Sequence, residues 1–501
     1  MAIRVLGATT LARDLGKWQD AESGGRRRAA RPAYRALADN VRMLVADGRI
    51  PLGVALPSER DLAGVLELSR TTITSAYAVL RDEGYLISRQ GSRSTVALPE
   101  SGAAGKLLRG TMFGGSALGG ASTDPAIDLT CASMSAPVEP MRRAYAEGLD
   151  ALPAYLGGHG IEPVGLPVLR QAIAERYCRR GLPTVPEQIM VTAGAQHALV
   201  LVLGLLAAPG ERVLIDHPTY TNAIEAIKRM GARPVPVAVR QETRGWDLDG
   251  IRSTARQTAA KLAYLVPDFH NPTGFCLDDE GRAELAAIAR DTRMTLIIDE
   301  TMADLGLDAP TPTPVAAFSR GAGRADIVTI GSTSKAFWSG LRIGWIRAEA
   351  PLISALAASR SALDLGTAVV EQLAAVSMFE VEVEDEVLPE RRKQLRRQRA
   401  ALLDAVATEL PDWRCTPGSG GMALWMQLPA PMSTALAATS PYHGVLLAAG
   451  PRFGLEGAFE RYIRLPYARG EDELRAAVTG IAAAYRALAG GVEVERPALV
   501  I

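Results

Sequence analysis

The chain has 501 residues, too many for one domain, and its 55 basic and 55 acidic side chains cancel, so net charge does not identify a nucleic-acid binder. No apolar run reaches the ~20 residues of a membrane-spanning helix, and the first residues lack the apolar core of a secretory leader. Four widely spaced cysteines argue against a disulfide framework and a metal cluster. We therefore expect two or three domains, a cytoplasmic location and no metal site.

The charge is nevertheless unevenly distributed along the chain. Residues 1–97 hold 15 Lys and Arg against 10 Asp and Glu, a net charge of +5, so the remainder carries −5. Such asymmetry favours a polyanionic partner for the N-terminal part. The first thirty residues end in the stretch GGRRRAA, and we interpret residues 1–30 as a basic N-terminal arm.

Residues 31–97 contain three helical patterns followed by a hairpin pattern. The first helix lies in PAYRALADNVRMLVADGRI, and the second follows the N-capping Ser58 in PSERDLAGVLEL. The third, SRTTITSAYAVLRDEGYL, has Gly84 as its C-terminal signal, and ISRQGSRSTVAL then predicts a hairpin with a basic tip. This order predicts a winged helix-turn-helix, an α+β domain whose third helix would lie in the DNA major groove.

The polar residues left exposed by this pattern suit DNA binding, because side chains and N–H groups at a helix start can meet bases and phosphates. The alternative is a small solvated helical domain whose arginines have no special role. The residues expected at the DNA are Ser69, Arg70, Thr71 and Thr72 on the third helix, with Arg60, Arg89 and Arg93 on flanking phosphates.

The stretch LPSERDLAGVLELSRTTITSAYAVLRDEGYLISRQGS closely resembles the winged-helix domain of GntR-family transcription regulators. The similarity spans most of residues 33–97 and implies double-stranded operator DNA as a partner. One position departs from the family pattern: Arg93 stands where the family usually has the second glycine of Gly-Ser-Gly-Thr. An arginine there would add a backbone or minor-groove contact, or would stiffen the wing.

The rest of the chain has a different organisation. Residues 98–127 are rich in Gly, Ser and Ala and lack periodicity, which predicts a flexible linker. Short apolar runs such as RVLIDH, LAYLVPD, TLIID and DIVTIG then alternate with helical patterns, which indicates an α/β domain with a largely parallel sheet. Within residues 128–488 we expect a large part at about 165–350 and a smaller α+β part at about 351–488, with strands in GMALWMQLP and ERYIRLPYA and a tail at 489–501.

A lysine stands at the mouth of a buried strand in STSKAFWSGLRIGW. Lys335 follows the strand pattern DIVTIG, and a buried lysine with a lowered pKa is an amine nucleophile toward an aldehyde. The alternative is a lysine that merely ends a strand. Further candidates lie at turns, strand ends and a helix start: Asn271 in DFHNPTGF, Asp299 in LIIDE, Tyr220 in DHPTYTN, Gly194, Ala195 and Gln196 in VTAGAQHA, and Ser332 and Arg342 beside the lysine.

Each candidate alone has a structural alternative, such as a turn or a structural strand-end aspartate. Together they supply an amine, an acid for a pyridine nitrogen, a donor to a ring oxygen, a stacking face and a phosphate cup. These are the requirements of pyridoxal 5′-phosphate (PLP). In this order the set resembles the fold type I aminotransferases of class I and II over residues 128–488, most specifically at NPTG, IIDE and STSKAFWSGLRIGW.

That resemblance implies a role for each residue. Lys335 would form the internal aldimine, Asp299 would pair with the pyridine nitrogen, and Asn271 would bond the ring oxygen. Arg464 in YIRLPYA would bind a substrate α-carboxylate, or it would simply be an exposed arginine on a strand. By the same resemblance Tyr220 would stack on the ring, and Gly194, Ala195, Gln196, Ser332 and Arg342 would hold the phosphate.

One departure from the aminotransferase pattern bears on activity. The family usually has a tyrosine two or three residues after the aspartate, where this chain has Thr301 and Met302. Thr301 can donate a hydrogen bond to the ring oxygen and Met302 cannot. Loss of the phenol should raise the aldimine pKa, which argues against efficient transamination and leaves cofactor binding intact.

A GntR-type winged helix joined by a Gly-rich linker to an aminotransferase-like domain resembles the MocR subfamily of bacterial transcription regulators. The resemblance implies a homodimer whose winged-helix domains pack on the partner subunit, and a cofactor domain that senses an amine ligand or PLP itself. Tyr155 and His159 in YLGGHG lie where the family contributes to the neighbouring site, or they simply form a loop. Two alternatives stay open. One is a working aminotransferase with an accessory DNA-binding domain, and the other is a regulator that has lost amine chemistry and senses only the B6 vitamer, PLP.

Overall fold

The computed structural model describes residues 5–16, 32–46, 48–87, 94–98, 126–319 and 325–490. In these ranges a winged-helix domain is followed by a large α/β domain and a smaller α+β domain. Nearly all of the expected linker, the tail beyond residue 490, and the predicted DNA contacts Arg89 and Arg93 lie outside the described residues.

The winged-helix domain has the helices and the wing that the sequence predicts. Side-chain caps begin two of its helices, since Ser58 Oγ accepts from Asp61 N and Ser69 Oγ accepts from Thr72 N, both at 3.1 Å. Its elements are α1 Ala8–Leu15, α2 Ala33–Ala46, α3 Glu59–Leu66 and α4 Arg70–Asp82, with the antiparallel strands β1 Leu86–Ile87 and β2 Thr95–Val96.

Helix α1 belongs to the winged-helix domain. Leu11 and Leu15, one turn apart, are buried in the same core as the apolar residues of α2 and α4. The amide of Leu6 also donates to Ala55 O at 2.9 Å. The interpretation of residues 1–30 as a basic arm is therefore wrong for residues 5–16. Burial of the two leucines stabilises the packing of this segment on the winged-helix domain. Residues 17–31, with the three-arginine run, lie outside the described part of the chain.

After strand β3, Ile127–Asp128, the large domain follows the predicted alternation of strands and helices. Its strands are β4 Ile189–Thr192, β5 Arg212–His217, β6 Arg233–Arg240, β7 Gly245–Trp246, β8 Leu262–Leu265, β9 Thr295–Asp299, β10 Ile327–Ser332 and β11 Gly344–Arg347. They form one sheet in the order β4–β11–β10–β9–β8–β5–β6–β7. The five neighbouring strands β10, β9, β8, β5 and β6 run parallel to one another. Strands β7 and β11 run antiparallel to their neighbours.

Helices cover both faces of this sheet. Alternate residues of β9 face opposite cores: Ile298 shares a cluster with Leu285, and Ile297 shares one with Val202. Burial on both faces explains why these strands are short apolar runs. The helices are α5 Val138–Ala151, α6 Pro167–Arg179, α7 Ala195–Leu206, α8 Thr221–Arg229, α9 Leu248–Thr258, α10 Asp279–Thr292, α11 Ala350–Arg360 and α12 Val369–Met378.

The small domain packs three helices on a three-stranded antiparallel sheet. Its helices are α13 Val381–Glu409, α14 Ser433–Thr439 and α15 Glu471–Gly490, and its strands are β12 Ala423–Gln427, β13 Val445–Leu446, β14 Ala448–Ala449 and β15 Tyr462–Pro466. The sheet order is β12–β15–β14, while β13 pairs with β3 and joins the segment after the linker to this domain. The strands predicted in GMALWMQLP and ERYIRLPYA are confirmed as β12 and β15.

The winged-helix domain packs on the small domain of its own chain. Helix α2 lies against α14, and Met43 of α2 contacts the small-domain core. The resemblance to MocR regulators implied packing on a partner subunit instead. The observed arrangement places the winged-helix domain next to the domain that carries Arg464.

Candidate functional site

Lys335 lies just beyond β10 with its amine turned inward. Its Nζ donates to Ala132 O at 2.7 Å. Burial lowers the pKa of the Lys335 amine below its usual value, and the positive charge of Arg464 acts in the same direction. A larger share of the amine is therefore neutral, which is the form that attacks a carbonyl carbon.

Asp299 ends β9 with both carboxylate oxygens held. Oδ2 accepts from the Tyr264 hydroxyl at 2.7 Å, and Oδ1 accepts from Thr301 N at 2.9 Å. Burial raises the pKa of Tyr264 well above its usual value, so this phenol stays a donor. The sequence interpretation missed Tyr264, although a tyrosine inside the buried run LAYLVPD needs a hydrogen-bond partner.

Arg464 on β15 is a buried cation whose hydrogen bonds are incompletely satisfied. Its Nη1 donates to Asn271 Oδ1 at 3.4 Å and its Nη2 donates to Thr130 O. Its Nε has no hydrogen-bond partner among the described residues. The guanidinium carbon lies 4.9 Å from the centre of the Phe453 ring. Burial lowers the pKa of Arg464 to about 10, so it is protonated at neutral pH and suits an anionic ligand.

The start of α7 forms a narrow cradle that depends on glycine. Gly194 has φ +97°, and a Cβ there would lie 2.8 Å from Arg342 Nη2. Arg342 Nη2 also donates to Ala193 O at 2.7 Å, while a Cβ on Gly344 would lie 2.5 Å from the Gly194 carbonyl carbon. Backbone N–H groups at a helix start can therefore approach an anion closely here.

Four other predicted residues belong to the proposed cradle and ring site. Ser332 Oγ donates to Ser334 Oγ at 2.8 Å, and Ala195 and Gln196 form the first turn of α7. The Oε1 of Gln196 is buried and has no partner among the described residues. Tyr220 precedes α8, and its hydroxyl accepts from Asn222 Nδ2 at 2.9 Å. Burial and the charge of Asp299 raise the pKa of Tyr220, so its ring lies near that carboxylate.

The position of the absent phenol is filled by apolar packing. Met302 is buried with Phe269 in the small-domain core. The hydroxyl of Thr301 is buried and has no partner among the residues that the structure describes. Thr301 therefore offers the remaining side-chain donor at this place, as the sequence interpretation allowed.

Several site residues carried no recognisable signal in the sequence. The segment from Thr130 to Ala132 crosses the site and supplies the carbonyl oxygens that accept from Arg464 and Lys335. Cys131 is an electrostatic neighbour of Lys335, Arg464 and Tyr220, which places its side chain close to all three. Every residue has a main-chain carbonyl, so the sequence does not show which of these oxygens the fold brings to the site.

Of the predicted DNA contacts, Ser69, Arg70, Thr71 and Thr72 lie at the start of α4, and Arg60 lies near the start of α3. Arg60, Ser69, Arg70 and Thr71 are exposed, whereas Thr72 is half-buried and its amide is used by the cap. Tyr155 and His159, predicted to reach the site of a second subunit, are half-buried and exposed respectively, and that role stays a prediction.

No three His, Cys, Asp or Glu side chains gather as a metal site within the described ranges. None of the helices described there is long and apolar enough to cross a bilayer.

Comparison with known families now identifies both parts. Residues 158–481 match the aminotransferase class I and II family, and residues 33–96 match bacterial regulatory proteins of the gntR family. The chain belongs to the aminotransferase class I and II family. It joins this domain to a GntR-type winged helix, and its resemblance to MocR-like regulators is confirmed.

Similar proteins include regulators and transaminases. The uncharacterized HTH-type transcriptional regulator YdcR of Escherichia coli K12 is 28% identical over 86% of this chain and 94% of that protein. The arginine–pyruvate transaminase AruH of Pseudomonas aeruginosa is 32% identical over 66% of this chain and 84% of that enzyme. The structure of LysN, an α-aminoadipate aminotransferase of Thermus thermophilus complexed with N-(5′-phosphopyridoxyl)-L-leucine, has a TM-score of 0.68 at 25% identity and covers 78% of this chain and 96% of LysN.

Family membership implies PLP as the cofactor, and the residues present fit it. The buried amine of Lys335 and the carboxylate of Asp299 supply the groups that a pyridine aldehyde requires. Gly194 has a φ of +97°, which L side chains rarely adopt, and Gln196 Oε1 and Arg464 Nε are buried polar atoms without partners in the described structure. Such atoms are costly to bury unless a ligand pairs with them.

Proposed function

We propose that this chain is a bacterial DNA-binding transcription regulator that binds PLP at Lys335 and responds to an amine ligand or to the cofactor itself. One observation carries the proposal. The Lys335 amine, whose pKa is lowered by burial, lies near the buried Arg464, whose Nε has no partner among the described residues, and the small domain that carries Arg464 packs against the winged helix. With PLP bound at Lys335, an amino acid would present its amine to the cofactor and its carboxylate to Arg464.

Within this proposal each residue holds or orients one part of the cofactor. When bound, PLP supplies an electron-withdrawing ring that stabilises negative charge next to an amine nitrogen. Asp299, whose carboxylate accepts from Tyr264 and from Thr301 N, would pair with the protonated ring nitrogen. The residues that bind the remainder are Asn271 and Thr301 at the ring oxygen, Tyr220 on the ring face, and Gly194, Ala195, Gln196, Ser332 and Arg342 at the phosphate.

Arg464 would bind the ligand carboxylate. Its Nη1 now donates to Asn271 and its Nη2 to a backbone carbonyl, and its Nε is free of partners in the described residues. A carboxylate accepts two parallel N–H bonds from an arginine, so a ligand would draw the guanidinium into a charged pair. Burial makes that pair stronger than it would be in water.

The winged helix would read DNA through α4. Arg60, Ser69, Arg70 and Thr71 are exposed where base and phosphate contacts are made in this motif, and Thr72, Arg89 and Arg93 complete the proposed set. A homodimer would present two such helices to a two-fold operator. Binding to chromosomal DNA would place the protein in the cytoplasm.

A second candidate function is a working PLP-dependent aminotransferase with an accessory DNA-binding domain. The complete set of lysine, aspartate, asparagine and carboxylate-binding arginine favours it. The replacement of the phenol by Thr301 and Met302 argues against it, because one donor to the ring oxygen is missing.

Two measurements test these functions. DNA footprinting upstream of the chain's own gene, with and without PLP, should show a protected operator whose occupancy changes with the cofactor. Incubation with amino-acid donors and a keto acid separates the alternatives: steady multiple turnovers would favour the enzyme, whereas one half-reaction at most would favour the regulator. A purified chain that takes up no PLP would exclude both.

A further inference from the structure

One loop of the small domain touches both the winged-helix domain and the cofactor site. We call residues 450–459 the shared loop. It begins after β14, passes between the two regions, and returns to β15, the strand that carries Arg464. Its two sides make contacts with different parts of the chain.

On the cofactor side, the shared loop is bonded to the segment that carries Tyr220. Thr219 N donates to Phe453 O at 2.8 Å, and the Thr221 hydroxyl donates to Arg452 O at 2.8 Å. Leu455 N donates to His217 Nε2 at 3.0 Å. The Phe453 ring also lies under the guanidinium of Arg464. The shared loop therefore contacts the segment that carries Tyr220 and contacts Arg464 itself.

On the other side, the shared loop contacts Gly16 at the end of α1 and lines a small cavity together with residues of α2. This cavity separates the two domains, and a Cβ on Gly16, just after α1, would lie 2.3 Å from Glu456 O and 2.5 Å from Gly457 Cα. Arg49 Nη2 donates to Asp14 O at 3.2 Å and ties the end of α1 to the loop after α2. The cavity is lined by Asp14, Asn40, Met43 and Arg49 from the winged-helix domain and by Pro451 and Arg452 from the shared loop.

We propose that the shared loop is the part of the winged-helix docking surface that links this docking to occupancy of the cofactor site. The inference rests on the proposed function. A ring stacked on Tyr220 would restrain the segment from His217 to Thr221, and the three hydrogen bonds would pass that restraint to the loop. Binding can shift docking because the two states then differ in contact energy, typically by roughly 5- to 150-fold in an equilibrium.

Hydrogen–deuterium exchange of the full-length protein, with and without PLP, tests this link. The direct probes are the amides of Thr219 and Leu455, which donate across the contact. We expect PLP to slow exchange in the shared loop and in α1 by at least about fivefold. Unchanged or faster exchange in α1, in a protein whose absorbance shows bound PLP, would overturn the inference and leave the proposed function standing. Failure to bind PLP would instead refute the proposed function.

A matched pair of glycine variants locates the contact. Gly16→Ala introduces a Cβ against the Glu456 backbone, whereas Gly48→Ala adds one with no atom within 4 Å; both glycines follow helices of the winged-helix domain at positive φ, +60° and +70°. We expect both variants to bind PLP, with the response of α1 lost in Gly16→Ala and retained in Gly48→Ala. Equal responses in the two variants would contradict the docking surface.

A second variant keeps the test decisive if Gly16→Ala does not fold. Thr221→Val removes the hydroxyl that donates to Arg452 O and keeps the side-chain shape. We expect PLP binding as in the wild type and a reduced exchange response in α1. A wild-type response in Thr221→Val would overturn the route through this hydrogen bond.

Discussion

Tyr264→Phe tests whether Asp299 works through a buried hydroxyl that sequence interpretation overlooked. The Tyr264 hydroxyl donates to Asp299 Oδ2 at 2.7 Å, and Tyr264 is 0% exposed, so water cannot replace the lost donor. Phenylalanine keeps the ring and leaves Thr301 N as the remaining donor that the structure describes. A hydrogen bond to a charged group contributes about 1.5–3 kcal/mol, which corresponds to roughly a 10- to 100-fold change in an equilibrium constant.

The assay is a fluorescence titration with PLP, combined with urea unfolding. We expect the Kd for PLP to rise roughly 10- to 100-fold, because a carboxylate that is less well held pairs less well with the ring nitrogen. Tyr77→Phe is the control: its hydroxyl donates to Pro57 O at 3.0 Å in the winged-helix domain, and its loss should cost about 1 kcal/mol of unfolding free energy without affecting PLP. If Tyr264→Phe lowered stability alone, with wild-type PLP affinity, the reasoning about Asp299 would be refuted.

Three further predictions use other parts of the chain. Lys335→Ala should abolish the yellow colour of the lysine-bound cofactor while the surface control Lys228→Ala keeps it; an unchanged absorption spectrum would exclude Lys335. Arg70→Ala should weaken operator binding in anisotropy titrations by about 1–3 kcal/mol, and an unchanged affinity would remove Arg70 from the DNA surface. Burial lowers the pKa of His270 to about 3 in the folded protein, whereas the unfolded chain has a histidine pKa of ~6.5. As the pH falls below ~6.5 the unfolded chain takes up a proton that the folded protein does not, so the folded protein loses stability. The stability advantage of the wild type over His270→Asn should therefore shrink by about 2 kcal/mol between pH 6.5 and 5 in urea unfolding, and a constant difference would contradict the burial argument.

Much of the fold could be predicted because local pattern and burial agree. The runs RVLIDH, LAYLVPD, TLIID and DIVTIG correspond to β5, β8, β9 and β10, and each is apolar since helices cover both faces of the sheet. Ser58 and Ser69 were recognisable as caps or helix starts because their hydroxyls satisfy free N–H groups. Motif residues such as Asp299 and Lys335 also stood out, since strand-end charges in a buried setting need partners.

The parts that could not be predicted depend on distant segments. Helix α1 was assigned to an arm because the surrounding residues are basic, although the four-residue spacing of Leu11 and Leu15 was a signal for a buried face. The carbonyl of Ala132, which accepts from Lys335, lies 203 residues away in sequence and has no side-chain signature. Phe453 similarly meets Arg464 only because the shared loop folds back beside β15.

Under the proposed function, the surroundings of Asp299 and Arg464 would favour retention of a ligand over its rapid conversion. The main-chain amide of Thr301 donates to Asp299 and Met302 fills the small-domain core, so neither residue would supply a phenol to the ring oxygen of a bound cofactor. A ligand held on Arg464 lies beside Phe453 and hence beside the shared loop. A ligand can shift a domain equilibrium only while it stays bound and only by its difference in affinity for the two states. Fast turnover would end each such interval early, whereas a site that captures an amine and releases it slowly would hold the winged-helix domain in one position long enough to occupy DNA.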